Sequence, residues 1–177
     1  MGGRFTIFGF SLAFFPLQAA GDFISIYQQM SGGENMKDTL KPGIESEFRF
    51  RIPESKTVPA LYPESAEFRE MPEVFATGFL VGLLEWTCIR AINPHLDWPS
   101  EQSVGTHIDV SHIAATPAGF EVTARVKLIE VDGRRLLFEV EAHDGLDLIS
   151  KGRHERFIIN KEKFDAKMKE KSAKEGT

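Results

Sequence analysis

Three side chains break the hydrophobic pattern of the 177-residue chain at places where they could act on a carbonyl. Glu85 stands among Leu83, Leu84 and Trp86 in VFATGFLVGLLEWTC, residues 74–88, an otherwise apolar run of helical length. Thr77 opens that helix as its expected N-cap, leaving the amides of Gly78 and Phe79 unpaired at the positive end of the dipole. His112 shares the parity of Thr106, Ile108 and Val110 in segment 104–113, so it points inward, while His107, Asp109 and Ser111 point away. A carboxylate, an imidazole that titrates near neutral pH, a hydroxyl and free amides together suit acyl transfer to water.

Taken singly, each has a plainer reading. Thr77 reads as a helix cap, Glu85 as a solvent-facing or structurally paired acid, and His112 as a satisfied core histidine. Cys88, one turn beyond Glu85, reads as packing. His95, His107, His143 and His154 have no metal-ligand spacing, and no metal is expected. Lys56, Lys151, Arg153 and Arg156 could meet phosphates or merely solvate a surface.

The elements that must position these groups follow from periodicity. Residues 44–52, IESEFRFRI, alternate as a half-buried strand. Residues 53–72 carry several prolines together with Val58, Leu61, Tyr62, Phe68 and Met71, which suggests a loop or short-helix lid over an apolar surface. The helix is expected from about Thr77 to Asn93, where Pro94 stops it, enclosed by other structure because it is apolar almost all round. Strands follow at 104–113, 120–131, 134–143 and 149–159, with hairpin signals at Asp132-Gly133 and Asp144-Gly145. The order predicts an α+β hotdog fold, an antiparallel sheet wrapped around one long helix. Its open sheet edge invites a second copy.

Composition bounds the rest. A net charge of -5 argues against nucleic-acid binding driven by bulk charge, and a single cysteine suits a reducing cytoplasm. Residues 1–35 are expected to be a leader rather than part of the domain. Their apolar run is short and interrupted by Pro16, and SGGENM could be encoded by a ribosome-binding site that makes Met36 the start. A signal or anchor is the alternative, and only that would bring a membrane into play. The domain then spans 36–160, with a charged tail over 161–177.

The blocks KTVPALYPESAEFREMPEVFATGFLVGLLEWTCIRA, GTHIDVSHIAATPAGFEVT and EAHDGLDLISKGRHERFIINKEKFDAK closely resemble the fluoroacetyl-CoA thioesterase family of hotdog hydrolases. The resemblance implies a homodimer that hydrolyses a small acyl-CoA, with coenzyme A as part of the substrate and no separate cofactor. It implies catalytic roles for Thr77 in FATGF, Glu85 in LLEW and His112 in VSHIAATP. Gly78, Gly105, Arg156 and the lid residues Val58, Leu61, Phe68 and Met71 would then border the acyl pocket. The chain departs from the pattern at Met71, where the fluoroacetyl enzyme has a gating phenylalanine. A non-catalytic acyl-CoA-binding module is the competing expectation.

Overall fold

Alternation builds the sheet. In the computed structural model, which describes residues 37–175, β1 (Glu45–Arg51), β2 (Glu101–Val110), β3 (Glu121–Asp132), β4 (Arg135–His143) and β5 (Leu148–Asn160) form one antiparallel sheet. The strand order is β1-β3-β4-β5-β2. The expected leader, and the question of a start at Met36, lie outside the described residues.

The inward rows are those the pattern required. Val122, Ala124, Val126 and Leu128 of β3 meet Leu136, Phe138, Val140 and Ala142 of β4, and all are buried. The outer face is charged and paired, with Lys127 bonded to Glu45 at 2.8 Å and Arg125 to Glu47 at 2.9 Å. Gly133, at φ +54°, turns the β3–β4 hairpin, a conformation that glycine adopts without steric cost. A closing helix (Lys161–Glu175) carries the charged tail.

The lid contains two short helices, α1 (Val58–Leu61) and α2 (Ala66–Arg69), and leads into the long helix α3 (Thr77–Ile92). Leu80, Leu83, Leu84, Cys88 and Ile92 of α3 are buried against β1, β3 and β4. Truncating one such side chain, as in Leu84→Ala, costs about 2–5 kcal/mol through lost transfer energy and the cavity left behind. The arrangement is the hotdog fold.

Two details differ from the expectation. The helix ends at Ile92, and Pro94 sits inside a following 3-10 turn (Asn93–His95) instead of just beyond the helix. More important, α3 is not enclosed within one chain. Gly78, Gly82 and Trp86 are exposed and Glu85 is half-buried, so one stripe of the helix is open. The helix packs mainly on β1, β3 and β4, and β5 and β2 reach the stripe at Glu85. Among the described residues β2 pairs only with β5, so its other edge is open too.

Candidate active site

The start of α3 is held by the lid. Ala76 donates to the Lys56 carbonyl at 3.1 Å, and the Lys56 ammonium lies 4.2 Å from the centre of the Phe79 ring. The N-cap is Ala76, not Thr77; Thr77 is the first helical residue. Its hydroxyl is engaged elsewhere, 2.8 Å from His112 Nδ1. The first helical bond is donated by Leu80 to Ala76 O, so the amides of Thr77, Gly78 and Phe79 precede the ladder. Gly78 keeps this end narrow: a Cβ there would stand 3.2 Å from the Leu61 side chain.

His112 lies just past β2, in a segment still tied to β5 by Ser111 N to Lys151 O and Ile113 N to Ile149 O, both 3.0 Å. Its Nε2 is buried and has no partner among the described residues. Burial lowers its pKa from the ordinary value of 6.5, favouring the neutral imidazole.

Glu85 occupies a second cluster. Its Oε1 accepts from Arg156 Nη1 at 3.2 Å and stands 3.5 Å from His154 Nε2. The linked His154–Arg156 pair, whose guanidinium donates to Oε1, holds its carboxyl below the ordinary 4.5, against the burial that raises it. Gly105 makes room for this cluster, since a Cβ there would fall well inside contact with Glu85 Oε1 and 3.1 Å from His154 Cε1. Arg156 is itself buried, at 2% exposure, and also donates to Ser103 Oγ at 2.9 Å and Ser103 O at 2.7 Å. It is therefore no surface cation for a phosphate, contrary to one expectation. Lys151 and Arg153 border a concavity of about 700 Å³ on the outer face of the sheet, whose lining includes none of the expected site residues.

The two clusters are separate in one chain. Glu85 stands eight positions beyond Thr77 along α3, a rise of roughly 12 Å, too far for the two side chains to meet. The expected trio is thus brought together as one pair, Thr77 with His112, and one distant acid. Thr106 also departs from expectation. A register shift between Gly105 and His107 sends its hydroxyl to Glu155 Oε1 at 2.8 Å, away from the Glu85 cluster.

The lid residues are placed unevenly. Leu61 covers Gly78, and Phe68 packs edge-on against Tyr62 with ring centres 5.3 Å apart. Val58 is half-buried, its amide bonded to Val74 O at 2.9 Å, whereas Met71 is 51% exposed. Cys88 is packed as expected, and burial pushes its thiol up to about 12. Sequence reasoning missed His154 and Ser103. His154 shares the parity of Arg156, two residues on along β5, and that was the available signal.

Comparison with known proteins adds to this geometry. Residues 59–162 match the family model for fluoroacetyl-CoA-specific thioesterase. The chain is 54% identical over 137 residues to the fluoroacetyl-CoA thioesterase of Streptantibioticus cattleyicolor, covering 77% of this chain and 98% of that one. A solved structure of the fluoroacetyl-CoA thioesterase superposes with a TM-score of 0.73 at 54% identity, over 76% of this chain and 98% of that one. A thioesterase superfamily member from Thermus thermophilus gives 0.69 at 27% identity, over 79% of this chain and 99% of its own.

Proposed function

The chain belongs to the fluoroacetyl-CoA-specific thioesterase family, and we propose that it hydrolyses a short acyl-CoA to the free acid and coenzyme A. The Thr77–His112 contact carries this proposal. A hydroxyl 2.8 Å from an imidazole biased toward its neutral form, beside unladdered helix amides, can take part in proton transfer while the amides receive the carbonyl oxygen. Glu85, biased toward its ionised form, either attacks the thioester carbon or takes a proton from the attacking water. In the first route the C–S bond breaks as the thiolate of coenzyme A leaves an acyl-Glu85 anhydride, which water then hydrolyses with neutral His112 taking the water's proton. In the second, water adds to the carbonyl as Glu85 takes its proton, and the C–S bond breaks as the thiolate leaves. In both, the proton removed from water is the one passed on to the thiolate or to solvent. Coenzyme A belongs to the substrate, so the chemistry calls for no separate cofactor or metal.

We further propose that the working unit is a homodimer. Supporting it are the open stripe of α3, the open edge of β2 and the unpartnered His112 Nε2. Antiparallel pairing of two β2 edges would bring the Gly105 end of one strand beside the His112 end of the other. Glu85 of one copy would then approach Thr77 of the second. The proposed location is the cytoplasm, in keeping with a single free cysteine, Cys88. No helix among the described residues is long and apolar enough to cross a membrane.

Gly105, Arg156 and the lid residues Val58, Leu61 and Phe68 are proposed to shape the acyl end of the pocket. Met71, a flexible side chain, is proposed to admit more than one small acyl group. The test is free-thiol release from acetyl-, fluoroacetyl-, propionyl-, malonyl- and longer acyl-CoAs. Turnover on short acyl groups that falls with chain length is expected. Binding of intact acyl-CoA with no thiol released from any of them would instead make the protein a binding module.

A further inference from the structure

We infer that His154 is a positioning residue for the reaction, an Nδ1-protonated imidazole whose bare Nε2 fixes the Arg156 guanidinium against Glu85. This rests on the role proposed above for Glu85.

The protons can be assigned from the contacts. His154 Nδ1 lies 2.8 Å from the His107 carbonyl, which can only accept, so Nδ1 carries the proton. His154 Nε2 lies 3.0 Å from Arg156 Nη1, which has only protons to offer. Nε2 must therefore accept, and it has no proton to give Glu85 at 3.5 Å. The two protons of Arg156 Nη1 are then divided, one to Glu85 Oε1 at 3.2 Å and one to His154 Nε2 at 3.0 Å.

The tether begins in the irregular part of β2. The register shift between Gly105 and His107 breaks regular pairing with β5 where the His107 carbonyl reaches the imidazole. Ser103 grips the guanidinium by Nε and Nη2, and His154 grips it by Nη1. With both sides held, the guanidinium presents one fixed N–H to Oε1 and leaves Oε2 of Glu85 without a partner among the described residues. His154 is 2% exposed and so has little room to leave this geometry. Its effect on the acid runs through the guanidinium it orients.

The experiment compares His154→Gln, His154→Asn and His154→Leu in the full chain, with Glu85→Gln as reference and circular dichroism to show folding. Gln can place an acceptor near the Nε2 position, whereas Asn reaches only the His107 carbonyl. His154→Asn and His154→Leu should lower kcat about 10- to 100-fold with KM little changed, as expected for misplacement of a reacting group. His154→Gln should recover most of the rate. Nitrogen-15 NMR of the wild-type imidazole at neutral pH should show Nδ1 protonated and Nε2 bare.

Protonated Nε2, or wild-type kcat in the Asn and Leu variants while Glu85→Gln is impaired, would overturn the positioning role alone. Full turnover in Glu85→Gln would remove the role of Glu85, and with it the reason to position Arg156.

Discussion

Thr77 Oγ1 and His112 Nδ1 stand 2.8 Å apart although 35 positions separate them in sequence. Neither residue comes from the part of the sheet that packs most of α3. Thr77 is delivered by the lid's grip on the helix start, and His112 by the last bonds between the β2 extension and β5. The contact should therefore be removable without loss of the core. Thr77→Ala and His112→Ala are expected to lower kcat/KM about 10²- to 10⁴-fold, the usual range for a positioned proton-transfer group. Both should unfold within a few degrees of the parent. Parental turnover in either variant would remove that residue from the reacting set.

The pH profile follows from two depressed values. His112 is held below 6.5 by burial, and Glu85 below 4.5 by His154 and Arg156. With both required deprotonated, kcat/KM should rise with pH along an acid limb whose midpoint lies below 6.5. Stability should move the same way. As pH falls below 6.5 the unfolded chain protonates its histidine before the native state does, and native stability drops. Glu85 adds stability above 4.5 that is lost as pH falls through its folded value. A stopped-assay profile against a short acyl-CoA, paired with thermal melts, tests both. An acid limb centred at or above 6.5 would contradict the His112 assignment.

Two glycines separate chemistry from scaffold. At Gly105 an added methyl collides with Glu85 Oε1, the end of a side chain that can swing away. Gly105→Ala is therefore expected to fold, with a melting temperature close to the parent's and turnover reduced at least about tenfold through displacement of Glu85. At Gly152 the collision is with backbone, including Val110 Cα at 2.7 Å, which must move bodily. Gly152→Ala should cost about 1–3 kcal/mol by overpacking and also loosen the segment that carries His112. Equal melting temperatures for the two variants would refute this division.

Mixing two inactive variants tests whether the site is shared. Thr77→Ala and Glu85→Gln, co-expressed, form mixed dimers in about half the population, each with one intact site if Thr77 and Glu85 come from different copies. Roughly a quarter of parental activity should return on those statistics. No recovery, with mixed dimers demonstrated by mass, would mean that each chain works alone.

Much of this was legible before any coordinates. The alternation of β3 and β4, the hairpin at Asp132-Gly133 and the pattern-breaking Glu85 and His112 are local signals, and local signals survive folding. What was hidden depended on distant partners. Thr77 read as a cap because nothing in its neighbourhood says that an imidazole takes its hydroxyl. Thr106 read as inward because strict alternation cannot register a shift at Gly105–His107. Helix α3 read as enclosed because hydropathy alone does not say whether an apolar stripe is covered by its own chain, and Gly78, Gly82 and Trp86 are exposed. His154 read only as one of several histidines without metal-ligand spacing, because the contacts that single it out, to the His107 carbonyl and Arg156, depend on a distant strand and on its own ring.

The far edge of the sheet has its own consequence. β1 sets Glu45, Glu47, Arg49 and Arg51 at alternate positions in water, and Glu47 and Arg49 are bonded to each other at 3.1 Å. A strand that tried to add there would have to strip water from that row of charges. Growth of the sheet is thus discouraged at one margin and open at the other. An assembly made through β2 would use up both open edges after two copies, leaving at its margins only the charged β1 strands, where lengthening into a ribbon is discouraged.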